Sequence, residues 1–335
     1  MSETLGEYLC DRDEFMRVSQ RMVLQIVVIH AVARSRLLDH LEAGPLTLEQ
    51  LSQASGMKAD LLERIVNYLA AEQIVELDDE GRVNQTPALQ SLQELYPWIV
   101  WVCTSFPAGM DLDSALKKGT IPWDGHFGKS IFESIRDEPG MMDAFLGTMT
   151  LTTRRDHDAI FRLHSFQPFD LVVDIGGSQG VLLMELLERF PRSRGILFDL
   201  PETAENARKH FERSEIGSRI DAVGGDFFKK VPEGGDLYLL KQILHDWSDG
   251  ECRSILRNVR KAMDSNGRIA VLDRLLSEVP EPGDAIEADI YMLLFTTGRE
   301  RKLSEFGTLF EESGFRLDRV TRNAAGASVI EAVPV

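Results

Sequence analysis

From residue 169 to the C-terminus the chain alternates short apolar runs with amphipathic stretches. The runs are LVVDIG, RGILFDL, RIDAVGGD, DLYLLKQIL and RIAVLDR, then FRLDRVTR and ASVIEAVPV. Few architectures satisfy such a rhythm: strands separated by helices pair in parallel, because each helix must carry the chain back across the sheet. The last two runs have no helix between them and predict an antiparallel pair. We therefore expect an α/β unit over residues 166–335, a mostly parallel seven-stranded sheet with helices on both faces. Ligands of such sheets bind beyond the carboxyl ends of the strands.

The first strand breaks into VVDIGGSQG (172–180), a glycine turn that presents backbone N–H groups at the start of a helix. The dinucleotide spacing G-x-G-x-x-G, counted from Gly176, falls on Gly176, Ser178 and Val181, so it fails at two of three positions. A second register, Asp174, Gly176, Ser178 and Gly180, fits, and it is the pattern associated with S-adenosylmethionine (SAM). A plain structural turn is the other reading. Polar residues recur where later strands stop: Asp199, Asp226, Lys241 with His245, and Asp273. Convergence would make them neighbours in one crevice. There Asp199 can accept from both ribose hydroxyls and Asp226 from the adenine amino group. Phe227 can cover the ring, and Lys241 can hold the ligand carboxylate. Taken singly, each acid could equally cap the next helix, as Asp199 could ahead of PETAENARKH.

The first half has a different rhythm. MVLQIVVIHAVARSRLLDHL reads as a helix too apolar around its circumference to stand alone in water, so it should be buried against something. Its apolar core, Met22 to Ala33, is interrupted by Gln25 and His30 and is too short to span a bilayer. Residues 45–87 predict helix, turn at Gly56, helix and two short strands, a winged helix. Such modules often bind DNA, but this one has three basic residues (Lys58, Arg64, Arg82) against eight acidic ones, a net of −5. That sign repels phosphates, so packing against protein is the expected role. The whole chain, at −17, makes nucleic acid and anionic membrane equally unexpected. Cys10, Cys103 and Cys252 have no metal or disulfide spacing, and the N-terminus lacks the basic and apolar regions of a secretory signal; both suit reduced thiols in the cytoplasm.

Taken together, VVDIGGSQG, FDLP, GGDFF, LKQILHDWSD and DIYMLLFTTGRERKLSEF resemble the caffeic-acid-type small-molecule O-methyltransferases, including their bacterial natural-product members. The resemblance covers nearly the whole chain, with Ser178 at the family's third glycine and GDFF where the family has GDMF. It implies a Rossmann-like SAM-dependent methyltransferase domain (166–335) behind a helical, winged-helix dimerisation domain (1–165). The implied reaction is methyl transfer to a hydroxyl of an aromatic secondary metabolite by a homodimer. Leu200 and Gly225 join the cofactor residues, and Trp247 packs on the adenine or merely within the core.

The resemblance also implies that His245 is the general base, bracketed by Asp273 and Glu300. Chemistry agrees: a phenol of pKa about 10 keeps its proton at neutral pH, and an imidazole of pKa about 6.5 is largely neutral there and able to take it. Plant members usually carry glutamate at the position of Asp273, which is one methylene shorter. The acceptor pocket would involve Phe145, Met149, Met292 and Thr296, residues that serve an interdomain core equally well. His157 and His164 read as solvated or packing residues. No acid cluster has metal spacing, so metal independence is expected. The competing functions are another activity on the same fold, such as hydroxylation or decarboxylation, and a SAM-sensing regulator that uses the winged helix on DNA.

Overall fold

The strands that the apolar runs predict all form, and their ends lie where the polar residues fall. The computed structural model describes residues 5–323 and 326–335. Its chain divides into two compact units: residues up to Phe106 with Ile135–Thr148, and Pro107–Ser134 with Met149–Val335. The helix Pro139–Leu163 contributes to both.

In the first unit, helices Leu48–Ser55 and Ala59–Ala71 lead into an antiparallel pair, β1 (Val75–Leu77) and β2 (Val83–Gln85). Thr47 and Gln50 close a reciprocal capping box on the first helix, which fixes where it starts. Leu51, Leu62, Val66, Leu69, Val75 and Val83 form a shared core, so the predicted winged-helix order is a packed module. The apolar helix is Arg12–Ser35, 24 residues. It exceeds the apolar stretch by which the sequence measured it, and by length and composition alone it is long enough to cross a membrane. It is not covered as expected: only Val32 and Ala33 are buried, while Met22, Val23, Leu24 and Val27 are at least half exposed.

The second unit holds β3 (Leu171–Ile175), β4 (Arg194–Asp199), β5 (Ile220–Gly224), β6 (Leu237–Lys241), β7 (Arg268–Asp273), the two-residue strands β8 (Leu275–Leu276) and β9 (Arg301–Lys302), then β10 (Phe315–Thr321) and β11 (Ser328–Pro334). The main sheet runs β10-β11-β7-β6-β3-β4-β5. Its order reverses at β3, with β4 and β5 on one side and β6 and β7 on the other. Pairs among β3 to β7 are parallel, while β11 is antiparallel to both β7 and β10. The sheet is therefore mixed, its antiparallel edge made by the run that lacks a crossover helix. Helices Val181–Arg189 and Pro201–Phe211 pack on one face through Leu183, Leu187 and Phe211. Helices Asp249–Ala262 and Leu303–Glu311 cover the other through Ile255, Val259, Phe306 and Phe310. With both faces covered, the carboxyl ends of the parallel strands are left for chemistry.

Candidate active site

The glycine turn is bound to its neighbours by backbone contacts that leave no room for side chains. Gly176 has φ +68°, donates its N–H to Phe198 O at 2.7 Å, and a Cβ there would lie 2.3 Å from Ile243 Cδ1. Gly180 starts the next helix at φ +73°, where a Cβ would meet the Phe211 ring. Asp174 is buried beneath the turn, close enough that a Cβ on Gly177 would fall 2.5 Å from its Oδ2. Burial pushes its carboxyl up to about 7, the Asp199 charge adds to this, and Lys241 opposes it.

The end of β4 is tied to the turn. Asp199 accepts the Ser178 N–H at 2.9 Å and the Leu200 N–H at 2.7 Å. Burial raises this carboxyl and the two N–H groups resist the rise. The Thr203 hydroxyl also donates to this carboxylate, which leaves one of its four lone pairs to offer. Leu200 is 63% exposed beside it. Gly225 donates to Asp199 O at 2.8 Å, and a Cβ there would strike the Phe198 ring. Asp226 accepts the Phe228 N–H at 2.9 Å. Phe227 and Phe228 meet the Trp247 indole edge-on, and Phe132 stacks on that indole at 5.5 Å.

Past β6, Lys241 donates to Gln242 Oε1 (2.6 Å) and Thr153 Oγ1 (3.2 Å) and lies 3.9 Å from Asp156. Burial pushes its ammonium down to about 8, an effect that Asp156 opposes and Arg274 reinforces. His245 follows on a single 3₁₀ turn, Leu244–Asp246. Its Nδ1 is 2.9 Å from Glu300 Oε1, and both side chains are buried. Asp246 Oδ1 is 3.7 Å from Nε2.

Two expectations change here. Of the two bracketing acids only Glu300 hydrogen-bonds the imidazole. Asp273 is fully buried with both carboxylate oxygens unpartnered, its shorter arm ending without a hydrogen bond. Nor does the site leave the imidazole at its ordinary proton affinity. Burial by itself disfavours the imidazolium, but the Glu300 charge, then those of Asp246 and Asp273, outweigh it and push His245 up to about 9. The carboxyl groups of Asp246 and Asp273 are in turn pushed up to about 6 by burial, against the pull of His245.

Sequence reasoning passed over the residue that holds this turn. Arg301 is 1% exposed and donates to Leu244 O and Trp247 O, each at 2.8 Å, and to Asp249 Oδ1 at 2.8 Å. Its neighbour Gly298 lies against the turn so closely that a Cβ would sit 1.9 Å from His245 O. Among the acceptor residues, Met149, Met292 and Thr296 belong to the sheet unit. The Thr296 hydroxyl is engaged by the Gly298 N–H at 3.0 Å. Phe145 belongs to the first unit, its ring 5.1 Å from Trp101. His164 is buried between Thr321 and Arg319, a packing position as expected; the side chain of His157 lies outside the described residues. Among the described residues no group of three or more His, Cys, Asp or Glu is placed to hold a metal ion.

A glycine turn, an aspartate with a lone pair to spare at the next strand end and a buried lysine together fit the adenosyl and amino-acid parts of SAM. On a seven-stranded sheet with one antiparallel edge they define a SAM-dependent methyltransferase. Residues 110–316 match the family model of the O-methyltransferase domain, and the chain belongs to that family. It is 33% identical to phenazine O-methyltransferase PhzM of Lysobacter antibioticus, over 92% of each chain. It is also 33% identical to flavonoid 4'-O-methyltransferase 5 of Ocimum basilicum, over 87% of this chain and 88% of that one. A solved O-methyltransferase (NcsB1) from neocarzinostatin biosynthesis, in complex with S-adenosyl-L-homocysteine (SAH) and 1,4-dihydroxy-2-naphthoic acid, matches with a TM-score of 0.79 at 26% identity. That match covers 93% of this chain and 96% of the other. The chain is thus a SAM-dependent O-methyltransferase.

Proposed function

We propose that the acceptor is a hydroxyl on a flat aromatic secondary metabolite, that His245 takes its proton, and that no metal takes part. The observation that carries this reading is the buried Glu300–His245 hydrogen bond. A carboxylate that accepts Nδ1–H fixes the tautomer and leaves Nε2 to face a phenol. When bound, SAM supplies a methyl group on a sulfonium leaving group, so the protein's work is alignment and proton removal. In this reading Asp174, Gly176 and Gly180 shape the turn around the methionine end. Asp199 and Leu200 take the ribose, Gly225, Asp226, Phe227 and Trp247 the adenine, and Lys241 the ligand carboxylate. Phe145, Met149, Met292 and Thr296 line the acceptor. Asp273 acts on His245 through its charge, without a hydrogen bond.

The relatives, a phenazine and a flavonoid O-methyltransferase, and the naphthoic acid in the matched complex support an aromatic acceptor. The exposed apolar flank of Arg12–Ser35 supports a homodimer formed through the helical unit, the chain's negative charge the lack of nucleic-acid or anionic-membrane partners, and its three free cysteines a cytoplasmic setting. His245→Ala tests the base. SAH binding measured by calorimetry should stay within about threefold, while phenol methylation falls by about 10²- to 10⁴-fold. Unchanged turnover in a folded variant would remove His245 from the chemistry.

A further inference from the structure

Arg274 follows the last residue of β7 and is 9% exposed. Its Nε is buried without a partner, and among the described residues its guanidinium has no hydrogen bond or ion pair. A guanidinium keeps its charge under any condition a protein survives, and burying it unpaired is costly. Lys241 pairs with Leu272 across β6 and β7, so their side chains share one face, to which Arg274 returns two residues later. The two cations are close enough for Arg274 to help depress the lysine, after burial itself. Lys241 already engages Thr153, Gln242 and Asp156. The planar fork of Arg274 is therefore an unengaged cation at this end of the sheet.

We propose that Arg274, with Lys241 beside it, is a carboxylate receptor in the reaction crevice. A five-donor fork matches a carboxylate in geometry as well as charge. Two ligands bring that chemistry: the amino-acid end of SAM, and an acceptor that is a hydroxyaryl carboxylic acid. The second source rests on the aromatic acceptor proposed above; the first does not.

Arg274→Met separates them. Calorimetry compares SAH with 5′-methylthioadenosine, which lacks the amino-acid end; kinetics compare a hydroxyaryl carboxylic acid with its methyl ester. If the cofactor supplies the carboxylate, SAH binding weakens about tenfold to a hundredfold while 5′-methylthioadenosine binding holds. If the acceptor does, SAH binding holds and KM rises by that factor for the acid only. A folded variant in which both members of both pairs respond alike, or none responds, overturns the proposal. Should the methionine variant fail to fold, Arg274→Lys, which keeps the charge but not the fork, is expected to show the same selective loss at about tenfold or less, and equal losses overturn it. If wild-type enzyme methylates no hydroxyaryl compound, the acceptor reading fails while the SAH comparison still judges the receptor.

Discussion

Replacing Glu300 by glutamine tests the electrostatics of the base directly. The glutamine keeps the size and one acceptor oxygen toward Nδ1 but removes the charge that most favours the imidazolium. With Nδ1 and Oε1 2.9 Å apart, the charge centres are about 4 Å apart. At an effective dielectric constant of about 20 that attraction is about 4 kcal/mol, equivalent to roughly three decades in proton affinity. His245, pushed up to about 9 in the wild type, should therefore fall by roughly two to three pH units in the ligand-free variant, to its ordinary range or just below. The readout is an NMR titration of the imidazole C–H in ligand-free protein. The chain has seven histidines, so the signal missing from His245→Ala assigns the peak. A wild-type midpoint at or below the ordinary value, or a Glu300→Gln midpoint that does not move, refutes the reasoning. The same titration has a second arm. A sulfonium adds positive charge to the crevice and SAH does not, so the midpoint with SAM should lie below that with SAH. That difference would return the imidazole to its proton-accepting form when it is needed.

Stability should fall as pH rises. His245 binds its proton more tightly folded, at about 9, than unfolded, at about 6.5, so its contribution is fully present below 6.5 and is lost as pH rises through 9. That contribution is about 3 kcal/mol. Asp174, pushed up to about 7, and Asp246 and Asp273, pushed up to about 6, are also raised and carry the same sign. Lys241, held down to about 8 against about 10.5 unfolded, carries the opposite sign above pH 8 and offsets roughly 2 kcal/mol of the loss. Urea unfolding should therefore show a net fall of about 2 kcal/mol between pH 6.5 and 9.5, and a flat or rising trend contradicts it. Arg301→Met should cost about 2 kcal/mol, because it removes the charged donors from the Leu244 and Trp247 carbonyls, which keep only the weaker Trp247 N–H and Cys252 S–H bonds, and leaves Asp249 to Arg299 alone. A loss below about 1 kcal/mol in urea would show that the turn carrying His245 stands without this clamp.

The sheet was legible because its strands announce themselves as apolar runs that stop in polar residues, and five such stops meet at one edge. His245 and Glu300 were legible only through resemblance, since nothing in the sequence between them, 55 positions apart, says that their side chains touch. The charge state of His245 could not be read at all. A proton affinity is set by every charge nearby, and here Asp246, next in sequence, Asp273 and Glu300 surround one imidazole that burial alone would leave neutral. Arg301 and Gly298 were hidden for a related reason. One binds backbone carbonyls and the other admits backbone, and carbonyls carry no sequence signature. Arg274 is the opposite case, a residue whose meaning lies in a contact the chain does not make for itself. The apolar helix Arg12–Ser35 shares that property. Its sequence says it must be covered, and the fold of one chain leaves its flank open. Both features point outward, beyond what a single chain supplies, which is where a sequence read as one folded chain stops being informative.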